Sequence, residues 1–144
     1  MSVEANKLIV RRLFEEDLSE ADPTRRGRVA AEIIASEFRD PTNPPGMQHG
    51  LDGHRAVVSL FFASFPDMKW RIDSMIAEGD QVAVRTTMTG RHDGDFFGIP
   101  PTGVEVTVPG IHILSLCDGK IVLHEGVNDD MALMRQLGVM PAFA

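Results

Sequence analysis

A chain of 144 residues with 43% hydrophobic content has the size of one domain and enough apolar material for one core without covalent staples. Lys and Arg number 14 against 21 Asp and Glu, a formal net charge of -7 that repels phosphate backbones and anionic lipid, so no nucleic acid and no membrane is expected as a partner. Cys117 is the sole cysteine, which rules out an intrachain disulfide and a four-thiolate metal site and fits a reducing cytoplasm.

The start, Met1 to Asn6, carries acid at Glu4 and lacks the basic-then-apolar order of a signal peptide. Val3, Ile9, Val10, Leu13, Phe14 and Leu18 then form one stripe opposite Arg11, Arg12, Glu15 and Glu16, which predicts a helix near residues 3–18. Asp22-Pro23-Thr24 supplies cap chemistry for a second, shorter helix, in which Val29, Ile33 and Ile34 recur before Phe38. The prolines of Asp40-Pro41-Thr42-Asn43-Pro44-Pro45-Gly46 make a loop. After Gly50 and Gly53, the residues Val57, Val58, Leu60, Phe61, Phe62 and Phe65 cover a broad face of a third, buried helix that stops at Pro66. Its densest stretch, Val57 to Phe65, is about half the length needed to cross a bilayer.

From Met68 the period changes to two, with Met68, Trp70 and Ile72 alternating with Lys69, Arg71 and Asp73. Glu78-Gly79-Asp80 turns this strand into a second, where Val82, Val84, Thr86 and Met88 share one face. A third strand spans about Val104 to Leu116, and Asp118-Gly119 leads into a fourth from Lys120 to about Val127. Asn128 or Asp129 caps a last helix carrying Leu133, Met134 and Leu137, which Gly138 ends. Helices first and hairpin strands afterwards predict an α+β fold, a curved antiparallel sheet packed with helices on one face, within one domain over 1–144.

Parity places Val104, Val106, Val108, Gly110, His112, Leu114 and Leu116 on one face of the third strand, and Val122, His124, Gly126 and Asn128 on one face of the fourth. Pro109 is the point at which a bulge would shift that parity. The opposite face carries Ile111, Ile113, Ile121 and Leu123, an apolar surface expected to meet a second copy in a homodimer. His92, His112 and His124 fall on the inward side with Trp70, Val84 and Met88, giving an expected apolar pocket for a small apolar or aromatic molecule, bounded by the third helix with Phe61. A core histidine bonded to a polar neighbour and a site histidine are equally compatible with His112. Adjacent strands bring His112 and His124 together as a donor–acceptor pair. His124-Glu125 lacks a second histidine at helical spacing, so no metal is expected. Asp129-Asp130 suits the N-terminus of the last helix, with a general acid or base at Asp129 as a second role. Arg25, Arg26 and Arg28 read as a solvated face. No glycine-rich phosphate fingerprint or nucleophile elbow occurs.

The segment Thr89-Gly-Arg-His-Asp-Gly-Asp-Phe-Phe-Gly-Ile-Pro-Pro-Thr-Gly103 resembles the signature bend of SnoaL-like polyketide cyclases, or ester cyclases. The stretch from Asp118 to Gly138, with its Arg-Gln-Leu-Gly end, is similar to that family's closing strand and helix. The resemblance implies a cone-shaped, ketosteroid-isomerase-like α+β barrel, no cofactor, and an intramolecular aldol condensation that closes a ring in an aromatic polyketide ester. It implies that His112 and His124 are the family's supporting histidines. The family's acid/base aspartate, two places after the closing-strand histidine, corresponds to Gly126. Two expectations follow: His112 and His124 carry the acid–base chemistry in the carboxylate's place with Asp129 nearby, or the protein binds its ligand without converting it.

Overall fold

In the computed structural model, which describes residues 1–141, Ser2 opens the first helix, α1 (Val3–Arg12), by accepting a hydrogen bond from the Ala5 N–H at 3.0 Å. Arg11 and Arg12 pair one turn on with Glu15 and Glu16 along the solvent side. The expected helix over 3–18 is present, but Leu13–Asp17 forms a π-turn, closed by a 2.9 Å bond from the Leu18 N–H to the Leu13 carbonyl. The wider turn buries Leu13, Phe14 and Asp17 together. Asp22 caps α2 (Pro23–Ile33) through the Thr24 N–H, with Pro23 at the first helical position.

The structure departs from the helical reading at Ile34, whose φ of -103° and ψ of 128° end α2 and begin a short strand, β1 (Ile34–Arg39). Ile34 and Phe38 are buried at a four-residue spacing while Ser36 and Glu37 are exposed. That spacing imitates a helix, because an irregularity in pairing spoils the two-residue alternation of so short a strand. The 40–46 loop leads to α3 (Gly50–Ser64), which ends before Phe65-Pro66 as the sequence predicts.

The sheet then runs through β2 (Lys69–Glu78), β3 (Gln81–Arg91), β4 (Glu105–Cys117) and β5 (Lys120–Asn128), in the spatial order β1-β5-β4-β3-β2. Successive pairs from β2 to β5 are antiparallel, whereas β1 lies parallel to β5, so the sheet is mixed and not purely antiparallel. Asp118 and Gly119 take φ of 49° and 78°, the left-handed pair that a two-residue hairpin requires. Asp129 caps the last helix, α4 (Asp130–Gln136), accepting from the Ala132 N–H at 3.0 Å. Gly138, at φ 79°, ends it.

Pro109 does not disturb the alternation. It is exposed and pairs with Thr87, and Val106, Val108, Gly110, His112, Leu114 and Leu116 are all buried on the concave face. The irregularity lies in β5 instead, where Ser115 pairs with Leu123 but Leu116 pairs with Ile121. The extra residue turns Ile121 inward, where it is fully buried, so Ile121 does not belong to the convex face assigned to it by parity. The helices close the concave side over a core that includes Phe14, Ile33, Phe65, Met68, Val84 and Leu114.

Candidate active site

The concave face and the helices enclose a cavity of about 680 Å³. Val57 and Phe61 come from α3, Trp70 from β2, Met88 from β3, His112 from β4, His124 from β5, and Leu133 and Met134 from α4. The wall is mostly apolar with a few convergent polar groups, the usual makeup of a small-molecule site.

His112 and His124 are not directly opposite in the ladder. His112 faces Gly126 and His124 faces Leu114, yet the His112 Nδ1 and His124 Nε2 lie 2.8 Å apart because nothing at Gly126 stands between them. A Cβ at 126 would collide with His112 Nδ1 and lie 3.1 Å from His124 Nε2. The other nitrogen of His124, Nδ1, is 3.0 Å from Oδ2 of Asp40, at the first position after β1. Asp40 is fixed in turn by Thr42, whose backbone N–H donates to Oδ1 at 3.0 Å and whose hydroxyl donates at 2.5 Å. This Asx-turn is why an aspartate two residues before a threonine suits the end of the strand.

The three side chains form a line with a direction. The Asp40 carboxylate accepts from His124 Nδ1–H, which leaves His124 Nε2 to accept from His112 Nδ1–H, and His112 Nε2 then carries a lone pair. That Nε2 is buried and makes no hydrogen bond of ordinary geometry, with the Asn128 side chain as its polar neighbour. Phe14 and Trp70 pack edge-on against the His112 ring at centroid distances of 5.4 and 5.6 Å. Burial in this aromatic cage, then the neighbouring His124, pushes the His112 pKa down to about 3 against smaller upward pulls from Asn128 and Asp40. Burial works to raise the Asp40 carboxyl, but the hydrogen bonds from His124 and Thr42 outweigh it and hold the group below its ordinary value. The line therefore runs from the Asp40 carboxylate through the bridging His124 ring to the neutral imidazole of His112, a residue of the cavity wall.

A second pair stands on the helical side, where His54 Nε2 of α3 lies 2.6 Å from Oδ2 of Asp17 at the π-turn, both buried. His54 lines the cavity. Trp70 Nε1 and Asn128 Oδ1 are further buried polar atoms without a partner among the described residues, and both residues line the cavity.

Of the expected site residues, His112, His124, Phe61, Trp70 and Met88 come together around this space. His92 does not line it. It lies one residue beyond β3, fully buried, with Nδ1 accepting from the Thr102 N–H at 3.2 Å and its ring against Phe65. Asp129 is also outside the lining, its carboxylate occupied as the cap of α4, while the adjacent Asp130 reaches the cavity. Burial, with the charge of Asp129, raises the Asp130 carboxyl above its ordinary value.

Sequence reasoning misses Asp40, Asp17 and His54. Asp40 is hidden in a proline-rich loop because the strand before it has the spacing of a helix. Asp17 and His54 carry a signal, since each occupies the apolar stripe of its helix, beside Leu13 and Phe14 in one case and Val58 in the other. Among the described residues no group of three or more His, Cys, Asp or Glu is arranged to hold a metal ion, and no helix is long and apolar enough to cross a membrane.

The profile of the SnoaL-like polyketide cyclases matches residues 9–137. The chain is 29% identical over 136 residues to the aklanonic acid methyl ester cyclase DauD of Streptomyces sp. (strain C5), an alignment covering 90% of this chain and 80% of that one. It is 32% identical over 104 residues to the nogalonic acid methyl ester cyclase of Streptomyces nogalater, covering 69% and 78%. The structure of TsrD from Streptomyces laurentii superposes with a TM-score of 0.86 at 27% identity, covering 97% of this chain and 99% of that one.

Proposed function

The chain belongs to the SnoaL-like polyketide cyclase family, and from that premise we propose that it closes a ring in an aromatic polyketide methyl ester by cofactor-independent intramolecular aldol condensation. The observation that carries this reading is the line Asp40–His124–His112 ending in a neutral imidazole of the cavity wall. His112 Nε2 takes the proton from the carbon flanked by two carbonyl groups. Its own Nδ1–H passes to His124 Nε2, and Asp40 stabilises the imidazolium that results. This answers how a group with a pKa of about 3 serves as base: the proton it accepts is not stored on His112. The enolate carbon then bonds to the ketone carbon, and the alkoxide takes a proton, so the product is an isomer of the substrate.

The reading without turnover draws on the glycine at 126. Asp40 supplies a carboxylate to the same pair of histidines from another segment, which removes that motive. We take residues 1–144 as one such domain acting on a small aromatic molecule in a reducing cytoplasm, as a homodimer. Purified protein incubated with aklanonic or nogalonic acid methyl ester should give a ring-closed isomer of unchanged mass, faster than buffer alone. Binding without any such isomer would overturn the proposal in favour of a carrier.

A further inference from the structure

The helical wall of the cavity holds an imidazole–carboxylate pair that the line on the sheet does not use. Asp17 is 1% exposed and His54 7% exposed, and the 2.6 Å between His54 Nε2 and Asp17 Oδ2 makes a short hydrogen bond. Phe38 stands edge-on to the imidazole at 5.5 Å. The pair also separates two spaces. His54 lines the inner cavity, whereas Asp17 lines an outer cleft of about 500 Å³ between α2 and α3. A tie between two helical segments needs neither property, since an apolar pair of the same volume avoids the desolvation penalty and holds them at least as well. Bringing Asp17 inward coincides with the π-turn, a local departure that recurs at functional sites.

Resting on the cyclisation proposed above, we infer that His54 is the general acid of the ring closure and that Asp17 holds it in place and connects it to the outer cleft. Nε2 of His54 is held by Asp17, so Nδ1 is the nitrogen that gives its proton to the alkoxide. One proton moves from the substrate carbon to His112 and on to His124. One moves from His54 to the substrate oxygen. The electron pair of the ketone C=O becomes the new O–H pair, while the former C–H pair becomes the new carbon–carbon bond. His54 regains a proton through Asp17 from the cleft, and His124 releases one on the Asp40 side, so the protein returns to its starting state with no co-reactant. Arg26, Arg28 and Arg55 line the cleft beside Asp17, and Asp40, His112, His124 and Asp130 line the cavity with His54.

His54→Gln keeps an amide N–H for Asp17 but no transferable proton. With aklanonic acid methyl ester as substrate, this variant should stay folded and lose about 10²–10⁴-fold in kcat with little change in KM. Asp17→Asn should lower kcat with little change in KM, and Asp17→Glu, which restores a carboxylate, should recover part of the loss. In the unmodified protein, the ring ¹⁵N signals of His54 should shift when the same ester binds. A folded His54→Gln with unchanged kcat, or His54 signals that the ester leaves unmoved, would overturn the assignment. Absence of turnover by the unmodified protein sinks the cyclisation instead. The ¹⁵N arm then decides His54 by itself: shifted signals keep it as a donor to the ligand, and unshifted ones remove it.

Discussion

Gly126 lies directly opposite His112 in the β4–β5 ladder, and the space left by its missing side chain is crossed by the His112–His124 hydrogen bond. The glycine is thus part of the line of polar groups and not a gap in it. Gly126→Asp, which returns the family's carboxylate, should break the imidazole pair, because its Cβ alone collides with His112. We expect a loss of about 1–3 kcal/mol in urea unfolding, as for other overpacked sites, together with reduced turnover. A variant that is more active than the parent would show that the two histidines do not act through each other.

Asp40 is the residue on which the direction of proton flow depends. Asp40→Asn keeps the shape but removes the charge that faces the His124 imidazolium, so kcat should fall about 10²–10⁴-fold while the fold survives. The folded carboxyl is held below its ordinary 3.8, so its stabilisation is present above that pH and is lost as pH falls through the lowered value. The Asn variant should lack that part of the acid transition in a pH series of thermal unfolding. An unchanged kcat would remove Asp40 from the mechanism.

His112 governs a different window. Unfolded, it takes up a proton below about 6.5, but folded only below about 3, so stability is full above 6.5 and declines as pH drops toward 3. The slope is at most one proton, or ~1.4 kcal/mol per pH unit. His112→Gln, which still offers His124 a partner, should flatten this decline and lower kcat by about 10²–10⁴-fold. A wild-type protein equally stable at pH 4 and pH 7 would contradict the buried neutral imidazole.

What can be seen in the sequence follows from how regular each signal is. The strands β3 and β4 keep strict alternation around the site, and β2 keeps it from Lys69 to Ile72, before its irregularity at Asp73, so the inward placement of Trp70, Met88 and His112 is legible even across Pro109. β5 loses one residue of parity at its bulge, which misplaces Ile121 but not His124. β1 is too short and irregular to separate from the helix before it, and that conceals Asp40. The histidine pair is visible because both members share one sheet face. Their carboxylate is not, because it arrives from a loop distant in sequence, brought beside them by the parallel pairing of β1 with β5 and by the Gly126 N–H bond to Thr42 Oγ1. The sequence resemblance points to position 126 for the acid, and position 40 is where the fold puts one.

The turn Phe96-Phe97-Gly98-Ile99 hangs over the cavity. Phe97 takes a φ of 47°, which a side chain adopts at some cost, and is 61% exposed while lining the cavity with Phe61 and Phe96. Phe97→Asn suits that backbone better and should leave stability within about 1 kcal/mol of wild type or raise it. An aromatic ligand should bind about 10–100-fold more weakly, the worth of one buried ring. Unchanged affinity would mean that Phe97 does not cover the ligand.

On the convex face, Ile111 pairs directly with Val127, and the two are 59% and 74% exposed, with Ile113 beside them at 40%. Arg85, Thr87 and Glu125 border this strip on neighbouring positions of the sheet. An apolar centre with a polar rim is how a self-complementary interface is built, and the sheet's other face is already covered by helices. Light scattering at tens of micromolar should therefore give twice the chain mass of 15.8 kDa. Ile111→Glu places a charge at the centre of the strip at a residue that does not itself line the cavity, although its partner Val127 does, so it should yield a folded monomer. If the unmodified chain is monomeric at that concentration, the strip has another partner and the homodimer is wrong. If Ile111→Glu remains dimeric, the contact lies on a different surface.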